Sequence, residues 1–231
     1  MVLVDAVSSL GGITLDVDAW QLDVCVAGPQ KCLGGPAGMS LMTVSDAAWE
    51  RIAANPAAPR ASFLSMLDWK EKWLEGDRFP FTPSVSDLFG VEAACDVTLE
   101  IGLEQSIAQH ERAAAACRAG VRAMGLDPWP RSDRITAACT TAIAVPEGLD
   151  DIQVRGHCRE NYGVMISGGQ GAGNLVRIGH MGPTAWSVFP VAGLAAVGQT
   201  MLDLGASVDV GAGLEAAMAE LSETRTTAEA V

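Results

Sequence analysis

Residues 24–38 have the sequence VCVAGPQKCLGGPAG, in which a short apolar run passes directly into a glycine- and proline-rich turn. The run Val24–Ala27 is rich in valine and bounded by turn residues, which predicts a buried strand. Lys31 follows this strand, and its neighbours are mostly small or apolar. A lysine in such a setting is partly desolvated, which makes its amine a better nucleophile toward an aldehyde. The alternative interpretation is a solvated turn lysine.

Two similar apolar runs lie on either side of this strand in the sequence: Val2–Val4, which is followed by Asp5, and Met39–Val44. The first predicts another buried strand, and such closely spaced strands with short turns indicate one end of a mixed sheet. Because Asp5 and Lys31 each follow a strand, we expect both at the same edge of the sheet, where α/β folds bind ligands. Asp5 is interpreted either as the cap of the following turn or as a carboxylate directed into a cleft.

The next part of the sequence alternates between helical and irregular segments. Ser45 is a predicted N-cap for a helix through Ala54. Residues 55–86 contain four prolines and lack a regular pattern, but they are apolar enough that we expect them to pack against other parts of the protein. The longest helical pattern, Leu88–Met124, is predicted to break near Gly102.

The character of the sequence changes from Ile135 onward. The predicted elements are a strand at Thr140–Val145, a helix at Asp150–Tyr162 ending at Gly163, strands at Val164–Ser167 and Leu175–Ile178, a helix capped by Thr184 that extends to Leu204, and a polar helix from Glu215 that frays near Thr224. This order predicts a small α+β domain. We therefore divide the chain into residues 1–90, a connecting helical segment at 91–134 and the α+β domain at 135–231.

A glycine-rich segment and an arginine stand out in this last region. The segment Gly168–Gly173 lies between two predicted strands and lacks the strand-to-helix setting of a dinucleotide loop, so we predict a hairpin. Arg177 lies inside an apolar strand and therefore needs an acidic partner, either a protein carboxylate or a substrate carboxylate. His180, just after it, is interpreted as a hydrogen-bonded structural histidine.

Composition excludes several classes of partner. The chain has 231 residues and a formal net charge of −13, which disfavours nucleic acid and anionic membranes as partners. Its six cysteines form no CxxC pair and fit no zinc pattern, so we predict reduced, mostly buried thiols and no metal. The N-terminal residues lack the features of a signal peptide, and the apolar stretch Val188–Leu204 is short for a membrane span, so a cytoplasmic location is expected.

Four motifs, in this order, resemble those of the class V, fold-type I aminotransferases that depend on pyridoxal phosphate. VDAVSSLGG at 4–12 resembles the strand whose aspartate pairs with the pyridine nitrogen, and GPQKCLGGPAG at 28–38 resembles the segment that carries the cofactor lysine. FTPSVS at 81–86 resembles the family's Thr-Pro segment, and RIGHMG at 177–182 resembles the motif of the substrate-carboxylate arginine. NPAAPRASFLSMLDW at 55–69 is similar to the alanine–glyoxylate and pyridoxamine–pyruvate aminotransferase group.

The resemblance implies a role for each residue of the cofactor site. Lys31 holds the cofactor covalently and then acts as the general base that moves the substrate proton. Asp5 keeps the pyridine nitrogen protonated, Val7 packs against the ring and Gln30 hydrogen-bonds the cofactor. Thr82 contacts the phosphate, in the neighbouring subunit of a homodimer.

The resemblance also implies that Arg177 binds the substrate carboxylate. The expected activity is transfer of an amino group between a small amino acid or pyridoxamine and a 2-oxo acid such as pyruvate or glyoxylate. Pyridoxamine–pyruvate aminotransferase carries an arginine near the place of Gln170, and its loss here favours an amino acid over pyridoxamine.

The fold implied is the C-terminal part of a fold-type I transferase: a partial mixed sheet of the large domain, in residues 1–90, followed by a small α+β domain. The family has a substantial N-terminal part ahead of the aspartate strand, so we expect a truncated chain or a fragment. Two alternatives remain open: an inactive fragment that acts only as a structural or interaction module, and a lyase or desulfurase that uses the same cofactor and fold.

Overall fold

The computed structural model describes residues 1–60, 63–186 and 188–223. The chain divides into two compact units. Unit 1 comprises residues 1–10 and 14–100, and unit 2 comprises residues 11–13 and 101–231. The division lies inside the helical stretch 91–134 that the sequence analysis treats as a connecting segment.

Unit 1 contains a three-stranded mixed sheet in the order β1-β2-β3. Strand β1 (Leu3–Asp5) runs parallel to β2 (Val24–Ala27), and β2 runs antiparallel to β3 (Leu41–Val44). The prediction of β2 and of a mixed sheet is confirmed. The prediction that the first strand is buried is wrong, because β1 is an edge strand that pairs only with β2, and the side chain of Leu3 is 66% exposed.

Two helices of unit 1 begin at serine hydroxyl caps. Helix α1 (Asp46–Ala53) begins after Ser45, whose Oγ accepts a hydrogen bond from the Ala48 N–H at 3.1 Å, as predicted. A short helix α2 (Met66–Trp69) begins after Ser65 in the same way and continues into a π-helical turn at Lys70–Leu74. The segment 55–86 is therefore more regular than predicted, because Ser65 supplies a cap that the irregular pattern hides.

Two long helices follow, and they separate where the sequence predicts. Helix α3 (Val85–Ile101) and helix α4 (Leu103–Ala123) flank Gly102, whose φ of 93° lies in the left-handed region. Glycine adopts this conformation without the steric cost that a side chain imposes, so the helix is interrupted there.

Unit 2 contains an antiparallel sheet of strands β4 (Thr140–Ala144), β5 (Ser167–Gly168) and β6 (Leu175–Gly179), in the order β4-β6-β5. Helix α5 (Asp151–Tyr162) packs against β5 and β6, and helix α6 (Phe189–Asp203) packs against β6. Helix α7 (Val210–Glu223) packs against α4 and α6. The core side chains of unit 2 include Val121, Ile143, Val154, Val176, Leu194, Val197 and Met201.

Three boundaries in unit 2 differ from the predictions. The strand predicted at 164–167 is reduced to Ser167–Gly168. Thr184 does not cap α6: it lies in a 3₁₀ turn at Gly182–Ala185, and its hydroxyl bonds the N–H and the carbonyl of Met181 at 3.0 Å each. Helix α7 begins at Val210 rather than Glu215, and its predicted fraying near Thr224 lies outside the described residues.

All six cysteines are thiols rather than disulfides, and all but the half-buried Cys95 are buried, as predicted. The apolar stretch from Val188 forms α6, a largely buried helix. Within residues 1–60, 63–186 and 188–223, no helix combines the length and apolar character needed to cross a membrane. Over the same ranges, no three His, Cys, Asp or Glu side chains are grouped closely enough to hold a metal ion.

Candidate active site

The first candidate region is the edge of the unit 1 sheet where the parallel strands β1 and β2 end. The register pairs Asp5 with Val26, and the next N–H, of Ala6, donates to the Val26 carbonyl at 2.7 Å. Beyond the strands, the thiol of Cys32 donates to the Ser8 carbonyl at 3.4 Å. The loop after β1 and the loop after β2 therefore lie side by side, as predicted from the parallel arrangement.

Asp5 lies at the end of β1 with an exposed side chain. Its Oδ1 accepts a hydrogen bond from the Val7 N–H at 2.9 Å. Asp5 therefore caps the following turn, which is one of its two predicted roles. Its Oδ2 receives no hydrogen bond from the part of the chain that the structure describes. The carboxylate therefore caps the turn with one oxygen and leaves the other exposed.

Val7 and Gln30 meet over Gly28 in the two adjacent loops. A Cβ placed on Gly28 would lie 2.7 Å from Gln30 Oε1 and 3.1 Å from Val7 Cγ1. Glycine permits this close approach, because a methyl group would displace the Gln30 amide and crowd Val7. The packing places an apolar side chain and an amide next to the turn that carries Lys31.

The turn around Lys31 is held by its backbone. The Lys31 N–H donates to the Gly28 carbonyl at 3.3 Å, the Gly34 N–H donates to the Lys31 carbonyl at 3.0 Å, and the Gly35 N–H donates to the Pro29 carbonyl at 2.8 Å. The Lys31 side chain is half-buried. Lys31 is therefore a half-buried lysine on a backbone with three defined hydrogen bonds.

The three lysines of the chain differ in their partners. Lys70 Nζ lies 3.3 Å from a Glu75 oxygen, and Lys72 Nζ lies 3.3 Å from Asp68 Oδ1. Lys31 Nζ forms neither an ion pair nor a hydrogen bond with any residue in the described ranges. Lys31 is thus the lysine whose amine is available for chemistry.

Thr82 belongs to unit 1 and precedes α3. Its side chain is exposed, and among the described residues its hydroxyl has no hydrogen-bond partner. The described contacts therefore do not join Thr82 to the edge formed by Asp5 and Lys31.

Arg177 lies in strand β6 of unit 2 and is half-buried. Its Nε–H donates to the Gly168 carbonyl at 2.8 Å. No carboxylate from the described part of the chain lies within ion-pair distance of its guanidinium. Of the two acidic partners predicted for Arg177, a protein carboxylate is therefore not supplied by the described residues.

The buried histidines of unit 2 are neutral structural groups. His110 Nδ1 lies 2.7 Å from the Ser106 carbonyl, and its Nε2 accepts a hydrogen bond from the Gly182 N–H at 2.9 Å. His180 Nε2 lies 2.9 Å from Thr141 Oγ1. Burial lowers the pKa of His110 and lowers that of His180 to about 4, because it disfavours the charged imidazolium.

The buried thiol of Cys117 is no nucleophile. Burial raises its pKa to about 12, so the thiol stays protonated at neutral pH. Lys31 therefore remains the candidate nucleophile of the site.

Residues 1–182 match the aminotransferase class-V family. The chain belongs to this family. Class-V aminotransferases depend on pyridoxal phosphate, and the prediction of family and cofactor class from the four sequence motifs is confirmed.

Relatives within the class-V family include enzymes with different named substrates. The chain is 47% identical over 219 residues to a pyridoxamine–pyruvate transaminase of Mesorhizobium japonicum, covering 94% of this chain and 56% of that enzyme. It is 32% identical over 231 residues to an L-aspartate–glyoxylate aminotransferase of Paracoccus denitrificans, covering 99% of this chain and 57% of that enzyme. The chain thus spans little more than half the length of these relatives.

Solved structures of class-V enzymes give the same picture of the fold. Pyridoxamine–pyruvate aminotransferase from Mesorhizobium loti superposes with a TM-score of 0.91 at 46% identity, over 96% of this chain and 57% of that one. A ureidoglycine–glyoxylate aminotransferase from Bacillus subtilis superposes with a TM-score of 0.86 at 29% identity, over 95% of this chain and 57% of that one. Both are fold-type I enzymes, so the predicted fold class is confirmed.

The contacts of two glycines, Gly28 and Gly168, were not predicted from the sequence. Gly28 allows Val7 and Gln30 to meet, and the carbonyl of Gly168 binds Arg177. The only sequence signal for Gly168 was its place in a glycine-rich hairpin. A main-chain carbonyl has no signature in a sequence, because every residue carries one.

Proposed function

We propose that this chain is the part of a class-V aminotransferase that carries the cofactor lysine, the cofactor aspartate and the substrate arginine. The proposed activity is transfer of an amino group between a small amino acid or pyridoxamine and a 2-oxo acid such as pyruvate or glyoxylate. The observation that carries the proposal is the sheet edge where Lys31, with an unengaged amine, follows β2 and Asp5 ends the adjacent parallel strand β1.

The residues at this edge suit the ring end of pyridoxal phosphate. An exposed carboxylate oxygen of Asp5 is available to accept a hydrogen bond from a protonated pyridine nitrogen, which favours the positively charged form of that nitrogen. The apolar side chain of Val7 lies beside the lysine turn, where it can pack against a flat ring, and the Gln30 amide is exposed and close to it. These donor and acceptor types fit the group that the family uses.

The proposed chemistry divides between the cofactor and the chain. When bound, pyridoxal phosphate supplies an electron-withdrawing ring that stabilises the charge left at the substrate's α carbon. Lys31 supplies the amine that holds the cofactor and then carries the proton removed from that α carbon. Arg177 orients the substrate by binding its carboxylate.

Several features of the whole enzyme are part of the same proposal. Residues 1–90 form the part of the cofactor-binding domain that this chain contains, and residues 135–231 form the small domain. Residues 91–134 form the helical segment that connects them. The enzyme is a cytoplasmic homodimer in which Thr82 contacts the cofactor phosphate of the neighbouring subunit. The exposed, unbonded hydroxyl of Thr82 supports this role.

The test is cofactor binding followed by amino transfer. The purified chain is mixed with pyridoxal phosphate, and the absorbance band of the lysine-bound cofactor is recorded before and after L-alanine or pyridoxamine is added. Wild-type protein and the control variant Lys72→Ala are expected to develop the band and to lose it when the amino donor is added. Lys31→Ala is expected to develop no such band.

The other outcomes separate the competing functions. A chain that is folded by circular dichroism but develops no band with the cofactor contradicts the proposal and favours a structural or interaction module. Release of sulfide from L-cysteine without amino transfer would assign the chain to the desulfurases instead. Comparing alanine with pyridoxamine as donor decides between the two substrate classes.

A further inference from the structure

The guanidinium of Arg177 has one of its edges occupied by the protein itself. Its Nε–H donates to the main-chain carbonyl of Gly168 at 2.8 Å. A guanidinium binds a carboxylate with two parallel hydrogen bonds, either along the edge formed by Nε and one Nη or at the end formed by the two Nη groups. Because Nε is engaged, only the Nη end of Arg177 can form a two-bond pair.

The Gly168 carbonyl owes its position to close packing between β5 and α5. A Cβ placed on Gly168 would lie 2.5 Å from Asp151 Oδ2 and 3.0 Å from Arg155 Nε. Asp151 and Arg155 are joined by an ion pair, with both Nε and Nη2 at 2.9 Å from Oδ2. Residue 168 must therefore lack a side chain if β5 is to lie this close to the helix.

The hairpin is also tied to the start of α5. The Asp151 N–H donates to Asn174 Oδ1 at 2.9 Å, and Asn174 Nδ2 donates to the Leu149 carbonyl at 2.9 Å. Both bonds are made by Asn174, so they hold the C-terminal end of the hairpin loop against the start of the helix. The main chain of Asp151 is therefore held by Asn174, and its carboxylate is held by the ion pair to Arg155, so a methyl group at 168 must displace either this ion pair or β5.

The sheet register places a side chain at position 168 and the side chain of Arg177 on opposite faces of the sheet. Gly168 pairs with Val176, and Ser167 pairs with Arg177. Side chains directly opposite each other in an antiparallel pair lie on the same face, and successive residues alternate between faces. Position 168 therefore belongs to the face of the fully buried Val176, whereas Arg177 belongs to the other face. The packing at Gly168 acts on Arg177 only through the carbonyl.

We propose that Gly168, by packing without a side chain against Asp151, is a positioning residue that confines the substrate carboxylate to the Nη end of Arg177. The identity of the ligand rests on the proposed function, whereas the geometry of Arg177 does not. A ligand with one carboxylate, such as a 2-oxo acid, satisfies the Nη end completely and leaves the Gly168 bond intact.

The test uses nuclear magnetic resonance of the ¹⁵N-labelled chain, which requires neither cofactor nor turnover. The Arg177 Nε–H signal is assigned by its loss in Arg177→Lys. In wild-type protein we expect this proton to exchange slowly with water, and we expect sodium pyruvate to shift the Nη signals while the Nε–H signal stays in place. In Gly168→Ala we expect fast exchange and a dissociation constant for pyruvate raised about tenfold, the effect of one lost hydrogen bond.

Two further variants separate positioning from general damage. Gly156→Ala is the matched control, because a Cβ at Gly156 meets nothing within 4 Å, and it should behave as wild type. The double variant Gly168→Ala/Asp151→Ala removes the carboxylate that the methyl group meets, so slow exchange of the Nε–H and tight pyruvate binding should return. Unfolding of unit 2 by the single variant is seen separately, as loss of the dispersed amide signals of β4 and β6 in the same spectra.

Several results would overturn the inference. These are rapid exchange of the Arg177 Nε–H in wild type, an Nε shift on pyruvate addition as large as that of the Nη groups, absence of any pyruvate-induced shift, or an unchanged Nε–H signal and pyruvate affinity in Gly168→Ala. A failure of the proposed function is seen separately, as the missing absorbance band with pyridoxal phosphate.

Discussion

Lowering the pH from 7 to 4 should destabilise unit 2 by about 3 kcal/mol through His180 alone. Burial lowers the pKa of this imidazole from 6.5 to about 4 in the folded protein. Each pKa unit between folded and unfolded states corresponds to about 1.4 kcal/mol. The unfolded chain takes up the proton first as the pH falls, so the stability is fully present above pH 6.5 and is lost between pH 6.5 and about 4.

The carboxylates act in a different pH range. The pKa of Asp133 is lowered from 3.8 by its hydrogen bond to Arg122, and the pKa of Asp203 is lowered from 3.8 by its hydrogen bond to Tyr162. Their contribution is present above pH 3.8 and is lost below it. The loss between pH 6.5 and 4 therefore belongs to the buried histidines, with His110 adding to His180 because burial lowers its pKa also.

The assay is urea unfolding at a series of pH values, followed by the amide signals of β4 and β6 so that unit 2 is observed by itself. His180→Asn removes the titrating group. The variant is expected to be less stable at pH 7, because the bond to Thr141 is altered. Near pH 5, the slope of its unfolding free energy against pH should be smaller than that of wild type by about 1.4 kcal/mol per pH unit. Equal pH slopes for wild type and variant would refute the account of His180 as a buried neutral imidazole.

The remaining predictions concern the site, a cap and the core. Asp5→Asn should still allow the cofactor band to form on Lys31 but should slow amino transfer, as measured in a stopped-flow half-reaction. Each 1.4 kcal/mol or so of lost transition-state stabilisation slows the rate tenfold. A normal rate would mean that Asp5 only caps its turn. Ser45→Ala should lower the unfolding free energy of unit 1 by about 1 kcal/mol in urea titrations, and no change would exclude a role for this cap in stability. Ile143→Ala should lower the unfolding free energy of unit 2 by about 2–5 kcal/mol because the side chain is fully buried. The control Ile152→Ala, at a site 71% exposed, should lower it little, and equal losses would contradict the described core.

The features that sequence reasoning predicted correctly depend on local signals. The strand Val24–Ala27 has the predicted bounds because turn residues mark its ends, and Ser45 caps α1 because its hydroxyl needs only the N–H three residues along. Gly163 ends α5 in the left-handed conformation, at a φ of 66°, for the same reason. Each of these depends on residues within a few positions in the sequence.

The features that it missed depend on partners distant in the sequence. The exposure of β1 follows from its place at the edge of the sheet, which the apolar run at its start does not reveal. Threonine is a common helix cap, but the hydroxyl of Thr184 bonds to Met181 and closes a separate turn before α6. The Gly168 carbonyl meets Arg177 only because β5 packs closely on α5. Such contacts are set by tertiary packing and not by local propensity.

The central claim is that Lys31 is the residue of this chain to which pyridoxal phosphate binds. The direct measurement is to reduce the chain with borohydride in the presence of the cofactor, digest it and locate the modified lysine by mass spectrometry. The account predicts modification of Lys31 at one equivalent, with Lys70 and Lys72 unmodified because each is ion-paired with a neighbouring carboxylate. Modification at Lys70 or Lys72 in preference to Lys31, or an adduct that persists in Lys31→Ala, would contradict it.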